Sequence, residues 1–141
     1  MKIGILSYRS LVNKATEEEL ELKKVARELG HTCRIFRAQR FQMVFDPDSP
    51  WILYDGKPFP NYDVILTRPS ILNKVDWHIT LIKQMEMRGI LLFNRYESIL
   101  NAKNKIKTMQ MLDDCGIPIP KTIVVRRPFD LPQAVKIVGG F

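Results

Sequence analysis

The sequence predicts a doubly wound α/β domain on a mainly parallel sheet, with a small hairpin insertion. Three observations predict it. Four short apolar runs, KIGILS, TCRIFR, YDVILTR and ILLF, read as core strands. Helical stretches separate the first pair and the last pair, and each stops at a glycine, Gly30 or Gly89. Between the second and third runs, Asp55-Gly56 signals a tight turn between two short extended pieces.

The first strand runs from Lys2 to Ser7, and the loop YRSLVNKA follows it. In TEEELELKKVARELGH, Leu20, Val25, Ala26 and Leu29 make an apolar side. Thr16 and Glu19 have capping-box spacing, which puts Glu17 to Glu19 in the first turn, where the helix dipole favours negative charge. Catalytic carboxylates are the competing reading of that acidic run. Thr32 to Arg37 is the second strand, and strand–helix–strand implies a parallel pair with a right-handed crossover. FQMVF and WILYDGKPF flank DPDSP and make a hairpin at the sheet edge. Tyr62 to Arg68 is the third strand. The second helix carries Val75, Ile79, Ile82 and Met85 on one side, and Ile90 to Phe93 is the fourth strand.

The texture then changes. A short helix capped by Ser98 precedes a second one capped by Asn104, which runs from Lys105 to about Cys115. Gly116 ends it, and Pro118 and Pro120 forbid continuation. KTIVVRR reads as a strand. DLPQAVKIVGG reads as a helix capped by Asp130, with Pro132 in its first turn and Gly139 and Gly140 at its end.

The 141 residues are enough for one domain with a core, and 45% hydrophobic with 26% charged is ordinary globular composition. No apolar run approaches the ~18 residues of a membrane span. The start MKIGILSYRS is too quickly polar for a signal peptide. Cys33 and Cys115 fit reduced thiols, so a cytoplasmic protein is expected. The net charge of +7 is spread over scattered residues. It suits either a solvated basic surface or a site for phosphates or acidic substrates. Charge-driven nucleic-acid binding is disfavoured, because no aromatic residues interleave with the basic ones.

Open α/β sheets bind ligands at the carboxyl ends of their strands. Ser7, Tyr8 and Arg9 follow the first strand, Thr67 and Arg68 close the third, and Asn94 and Arg95 follow the fourth. Three arginines there suggest an anion site, with Arg68 the foremost, although exposed loop arginines are the plain alternative. No G-x-G-x-x-G follows the first strand and no G-x-x-x-x-G-K-[ST] occurs, which argues against a dinucleotide dehydrogenase and a P-loop enzyme. His31 and His78 have no ligand at metal spacing, so no metal site is expected within this chain. No G-x-S-x-G elbow supports a Ser-His-Asp arrangement.

On a helical wheel of about 100° per residue centred on Ala102 or Met109, Lys103 and Lys107 fall on the far side. Lys105 falls between Met109 and Leu112. It either snorkels past the helix end or points into a cleft holding an anion, helped by the free N–H groups of the first turn.

FNRYESILNAKNKIKTMQMLDDCGIPIPKT resembles the stretch joining the first and central domains of RimK-type ATP-grasp ligases. The matching positions are Asn94, Ser98, Asn104-Lys105, Leu112, Gly116, Ile117 and Pro120. KIGILS, the helix ending LGH, the hairpin around YDGK and DVILTR are similar too, so the resemblance covers the whole chain. Asn104 departs from the usual Asp.

The resemblance implies a Rossmann-like pre-ATP-grasp domain over residues 1–94. Residues 95–141 would be linker helices and the incomplete start of an ATP-grasp domain. It further implies an enzyme that activates a carboxylate with ATP and Mg²⁺ and joins it to an amine. The substrates would be glutamate or a similar amino acid and a protein or cofactor acceptor. Lys105 would contact ATP phosphates, and Arg68, Ser7 and Arg9 would line the carboxylate or amine side of the cleft. The family's second nucleotide-binding lysine, Gly-rich loop and magnesium ligands follow later, so this chain alone is expected to be an inactive amino-terminal fragment. A non-catalytic α/β module that binds an anion or a protein partner is the competing function. Self-association through an exposed apolar edge stays open.

Overall fold

The computed structural model describes residues 1–46, 48, 52–67 and 75–140. The chain divides into two compact units, Met1–Ile99 and Leu100–Phe141.

In the first unit, β1 (Lys2–Ser7), α1 (Glu17–Glu28) and β2 (Thr32–Arg37) form one crossover. A small antiparallel sheet follows, of β3 (Phe41–Met43), β4 (Ile52–Tyr54) and β5 (Lys57–Pro58). Then β6 (Val64–Thr67), α2 (Val75–Met87) and β7 (Leu92–Phe93) form the second crossover. The main sheet is parallel, in the order β2-β1-β6-β7. The two crossovers leave the central pair β1 and β6 in opposite directions. Right-handed connections therefore put α1 and α2 on opposite faces, which is the doubly wound arrangement.

Alternation along β1 builds both cores. Ile3 and Ile5 face α1, where Cys33, Ile35 and Leu66 meet Leu22 and Ala26. This corrects the expected α1 stripe. Leu20, Val25 and Leu29 are exposed, because the sheet takes the narrower Leu22 and Ala26 row. Thr16 and Glu19 do form the capping box, each backbone N–H donating to the other's side chain at 3.0 Å.

On the other face, the Phe36 ring meets Phe41, Tyr54, Phe59 and Tyr62 at 5.0–6.2 Å, so the small sheet closes over the main one as an aromatic layer. Gly4 lies under it, and a Cβ there would collide with Ile65 Cδ1. The Asp55-Gly56 turn has φ of 52° and 72°, the positive pair a two-residue hairpin requires. The hairpin thus forms as expected, but as a separate sheet. Ile79, Ile82 and Met85 of α2 are buried as expected, with Leu81 and Gln84 beside them. The side chain of Val75 and the residue Trp51 lie outside the described residues.

Ser98 does not cap α3 (Tyr96–Lys103) but lies inside it. The Glu86 carboxylate, from the end of α2, instead accepts the Tyr96 N–H at 2.9 Å. In the second unit, α4 (Lys105–Asp114) is capped as expected, Asn104 Oδ1 accepting from Lys107 N at 3.1 Å. Gly116 ends it at φ 67°. KTIVVRR forms no strand: no described segment offers it a ladder, and without one an extended run is only a loop. Asp130 stands before α5 (Leu131–Val138), but its carboxylate pairs with Arg127 at 2.9 and 3.1 Å and caps nothing.

Candidate functional site

The opposite departure of the two crossovers leaves a crevice at the carboxyl ends of β1 and β6. Ser7 is the last residue of β1 and is fully buried. Its Oγ accepts from Arg37 Nη1 at 2.7 Å, while Arg37 Nη2 donates to the Asn13 carbonyl at 2.8 Å. Arg37 thus ties the end of β2 to the end of β1 and to the loop after it. Arg37 is not among the strand-end residues expected at the site from the sequence. A signal existed, since Ser7 and Arg37 close two runs of equal length that pair in register.

Tyr8 is buried between strand end and helix, its ring edge-on to His78 at 4.6 Å. Its hydroxyl has no hydrogen-bond partner among the described residues, and burial pushes the phenol far above its usual range. Arg9 is exposed. With Tyr8, Thr16, Glu18, Glu19 and Leu22 it lines a cleft of about 90 Å³ at the start of α1. Glu19 is committed to the cap, so the cleft combines one guanidinium with an acidic first turn. That mixture suits a group carrying both signs better than a bare anion, because the carboxylates offset the attraction of the helix N-terminus.

At the neighbouring strand ends, buried Thr67 donates through Oγ1 to the Asn94 carbonyl, and Asn94 Nδ2 returns a bond to the Thr67 carbonyl at 3.2 Å. Asn94, the residue after β7, is therefore tied to the end of β6. Arg95 pairs with Glu86 at 3.4 Å beside the start of α3, so this expected anion ligand has a structural partner. Arg68 lies outside the described residues. The arginine trio thus splits, with Arg9 alone seen at the crevice.

Lys105 belongs to the second unit, in the first turn of α4. It is exposed and heads the row of Met109 and Leu112, which are half-buried. Lys107 points to the far side by the same helical spacing. The wheel through Ala102 and Lys103 is corrected: these residues belong to α3, and the chain breaks at Asn104. No group of three or more His, Cys, Asp or Glu placed to hold a metal occurs among the described residues.

Residues 1–99 match the family model of the RimK pre-ATP-grasp domain. The chain is 30% identical to a probable alpha-L-glutamate ligase of Marinomonas and 31% identical to one of Vibrio cholerae serotype O1. Each alignment covers 99% of this chain and 45% of the relative, so the chain spans about half the relatives' length. Among solved structures, a RimK-domain ATP-grasp protein of Sphaerobacter thermophilus superposes with TM-score 0.68 at 17% identity. That match covers 99% of this chain and 46% of the other. The ATP-grasp ligase PsnB, complexed with precursor peptide PsnA2 and AMPPNP, gives 0.67 at 18% identity, over 97% and 51%. At these identities the structural likeness is one of fold.

Proposed function

Because the chain belongs to the RimK pre-ATP-grasp domain family, we propose that it supplies the amino-terminal part of an ATP-dependent carboxylate–amine ligase. Residues 1–94 would be the pre-ATP-grasp domain, and 95–141 the linker helices and the start of the central domain. The observation that supports this best is the alignment of nearly the whole chain with probable alpha-L-glutamate ligases. Glutamate or a similar amino acid is the proposed addition, and a protein or cofactor tail the acceptor. Both cysteines are free, which fits a cytoplasmic setting.

In this reading a carboxylate oxygen takes the γ-phosphoryl group of ATP and ADP leaves. The amine nitrogen then attacks the acyl carbon. A C–N bond forms, the C–O bond to phosphate breaks, and the amine releases a proton. Lys105 would bind ATP phosphates, since it is exposed at the head of α4, where free N–H groups add to its charge. Arg9 would orient the carboxylate or amine side, and Arg68 would assist. Ser7 would act by holding the loop, because its hydroxyl is buried against Arg37. Magnesium, when bound, offsets charge on the transferred phosphoryl group. The described residues offer no ligand cluster for it, so no step is assigned to them there.

The test uses a ligase that carries this segment. Lys105→Ala is expected to raise the KM for ATP about 10- to 100-fold, the scale of a charge-assisted contact of about 1.5–3 kcal/mol. Lys107→Ala is expected to leave it nearly unchanged. Equal effects from both would make Lys105 an ordinary surface lysine. The 141-residue chain alone is expected to release no ADP in response to a carboxylate substrate. Release would sink that part of the reading.

A further inference from the structure

The loop between β1 and α1 carries Arg9 and walls the cleft at the start of that helix. Its middle has no core of its own. Arg9 to Lys14 are all exposed, with Leu11 at 60% and Val12 at 92%. A segment with so few buried apolar contacts opens easily unless polar contacts hold it.

Two such contacts come from the end of β2 and the turn after it. Gln39 Nε2 donates to the Tyr8 carbonyl at 3.3 Å. Arg37 Nη2 donates to the Asn13 carbonyl at 2.8 Å. These anchors grip both ends of the exposed stretch. Between them the Asn13 N–H closes a turn on the Ser10 carbonyl at 3.1 Å. Arg9 directly follows the first anchor.

Arginine suits the second anchor better than lysine would. Nη1 of Arg37 is engaged with Ser7 Oγ at 2.7 Å, and Ser7 is fully buried at the end of β1. A planar guanidinium reaches both acceptors at once, whereas an ammonium is a point charge on a flexible stem. Both bonds are charge-assisted, the stronger kind. The backbone of Arg37 is fixed too, its N–H donating to Tyr54 Oη at 3.3 Å. Tyr54 belongs to β4 of the small sheet, whose rings pack on Phe36. The hairpin insertion thus braces the residue that braces the loop.

We propose that Arg37, helped by Gln39, is a positioning residue: it fixes the β1–α1 loop, holds Arg9 at the crevice and so sets affinity for a substrate other than ATP. The substrate half rests on the ligase reading. The clamp half stands without it.

The test has two arms. In the ¹⁵N-labelled 141-residue chain, Arg37→Lys should lower the backbone order parameters of the amides from Arg9 to Asn13. The expected fall is from about 0.85, the rigid value, to below about 0.6, with β1 and β2 unchanged. Gln39→Ala removes an exposed side chain and keeps this arm decisive if Arg37→Lys folds poorly. It should lower the order at Arg9 and Ser10. In a ligase that carries this segment, Arg37→Lys should raise the KM for the acceptor or the amino acid about 10-fold and that for ATP less than about twofold. A loop that stays rigid in both variants would overturn the clamp. A loosened loop with every KM unchanged, or with all of them rising together, would overturn the positioning role. If the loop loosens while Lys105→Ala leaves the KM for ATP untouched, the ligase reading fails and the clamp is supported.

Discussion

Met1–Ile99 and Leu100–Phe141 differ in what they do with their apolar side chains. In the first unit Leu6, Phe36, Ile65, Leu81, Ile82 and Met85 are all but removed from water. In the second, Ala134 is the one buried hydrophobic residue among those described, while Ile106, Val124, Phe129, Leu131 and Ile137 are exposed. The helices of the two units are not the cause. Both α1 and α4 are capped by a side chain and ended by a glycine. What differs is the second layer. The first unit has a sheet with a helix on each face, whereas the second has helices and a loop, with no strand among its described residues. An amphipathic helix acquires a core only when another layer covers its apolar side.

The largest test of that contrast is truncation. Leu81→Ala is expected to cost about 3 kcal/mol of unfolding free energy, within the roughly 2–5 kcal/mol range for buried aliphatic residues. Ile137→Ala, half in water, should cost under about 0.5 kcal/mol. Urea denaturation of each variant measures both, and similar losses would erase the distinction. Next comes Gly4→Ala, where the added methyl must displace Ile65 in a filled core. A loss of about 1–3 kcal/mol is expected, seen as a lower melting temperature.

The caps sharpen the comparison further. Thr16→Ala and Asn104→Ala each remove one acceptor, worth about 1 kcal/mol. In the first unit the loss should appear in global unfolding. In the second it should appear as faster hydrogen exchange of the α4 amides, because local opening there lies below the global transition.

The smallest effect concerns Tyr8. Its hydroxyl is buried and has no partner among the described residues, so Tyr8→Phe should be neutral or stabilising by up to about 1 kcal/mol. The pH dependence carries its own sign. Burial raises the Tyr8 phenol above 10.0 and the Cys33 thiol above 9.0, so the folded state holds both protons more tightly than the unfolded one. That stability is complete below the unfolded values and falls as pH rises past them. Tyr8→Phe should flatten the decline above about pH 10 and leave the earlier, Cys33 portion. An unchanged slope, followed by thermal melts across alkaline pH, would mean the phenol is not excluded from water.

Local chemistry was readable wherever a residue acts on its own neighbours. The Thr16–Glu19 box, the Asn104 cap, the Asp55-Gly56 turn and the strands Lys2–Ser7 and Thr32–Arg37 all involve partners a few residues apart or a plain apolar run. The misreadings share the opposite property. Ser98 lost its capping role to Glu86, and KTIVVRR met no ladder among the described residues; Asp130 is the exception, taken by Arg127 only three residues away. At the crevice, position after a strand marked Ser7, Arg9 and Asn94, but Arg37 on Ser7 and Glu86 on Arg95 came from other segments.

By itself, then, the sequence determined the order of strands and helices in the first unit, their stops and the resemblance carried by Asn94 to Pro120. Hydrogen bonds within a turn and alternation along a strand depend only on neighbouring residues. The tertiary structure alone decided which row of α1 meets the sheet and which arginine is already engaged. It also decided which aromatic rings close over the main sheet. Those outcomes depend on pairings between separate elements, where several side chains compete for one partner and packing selects among them.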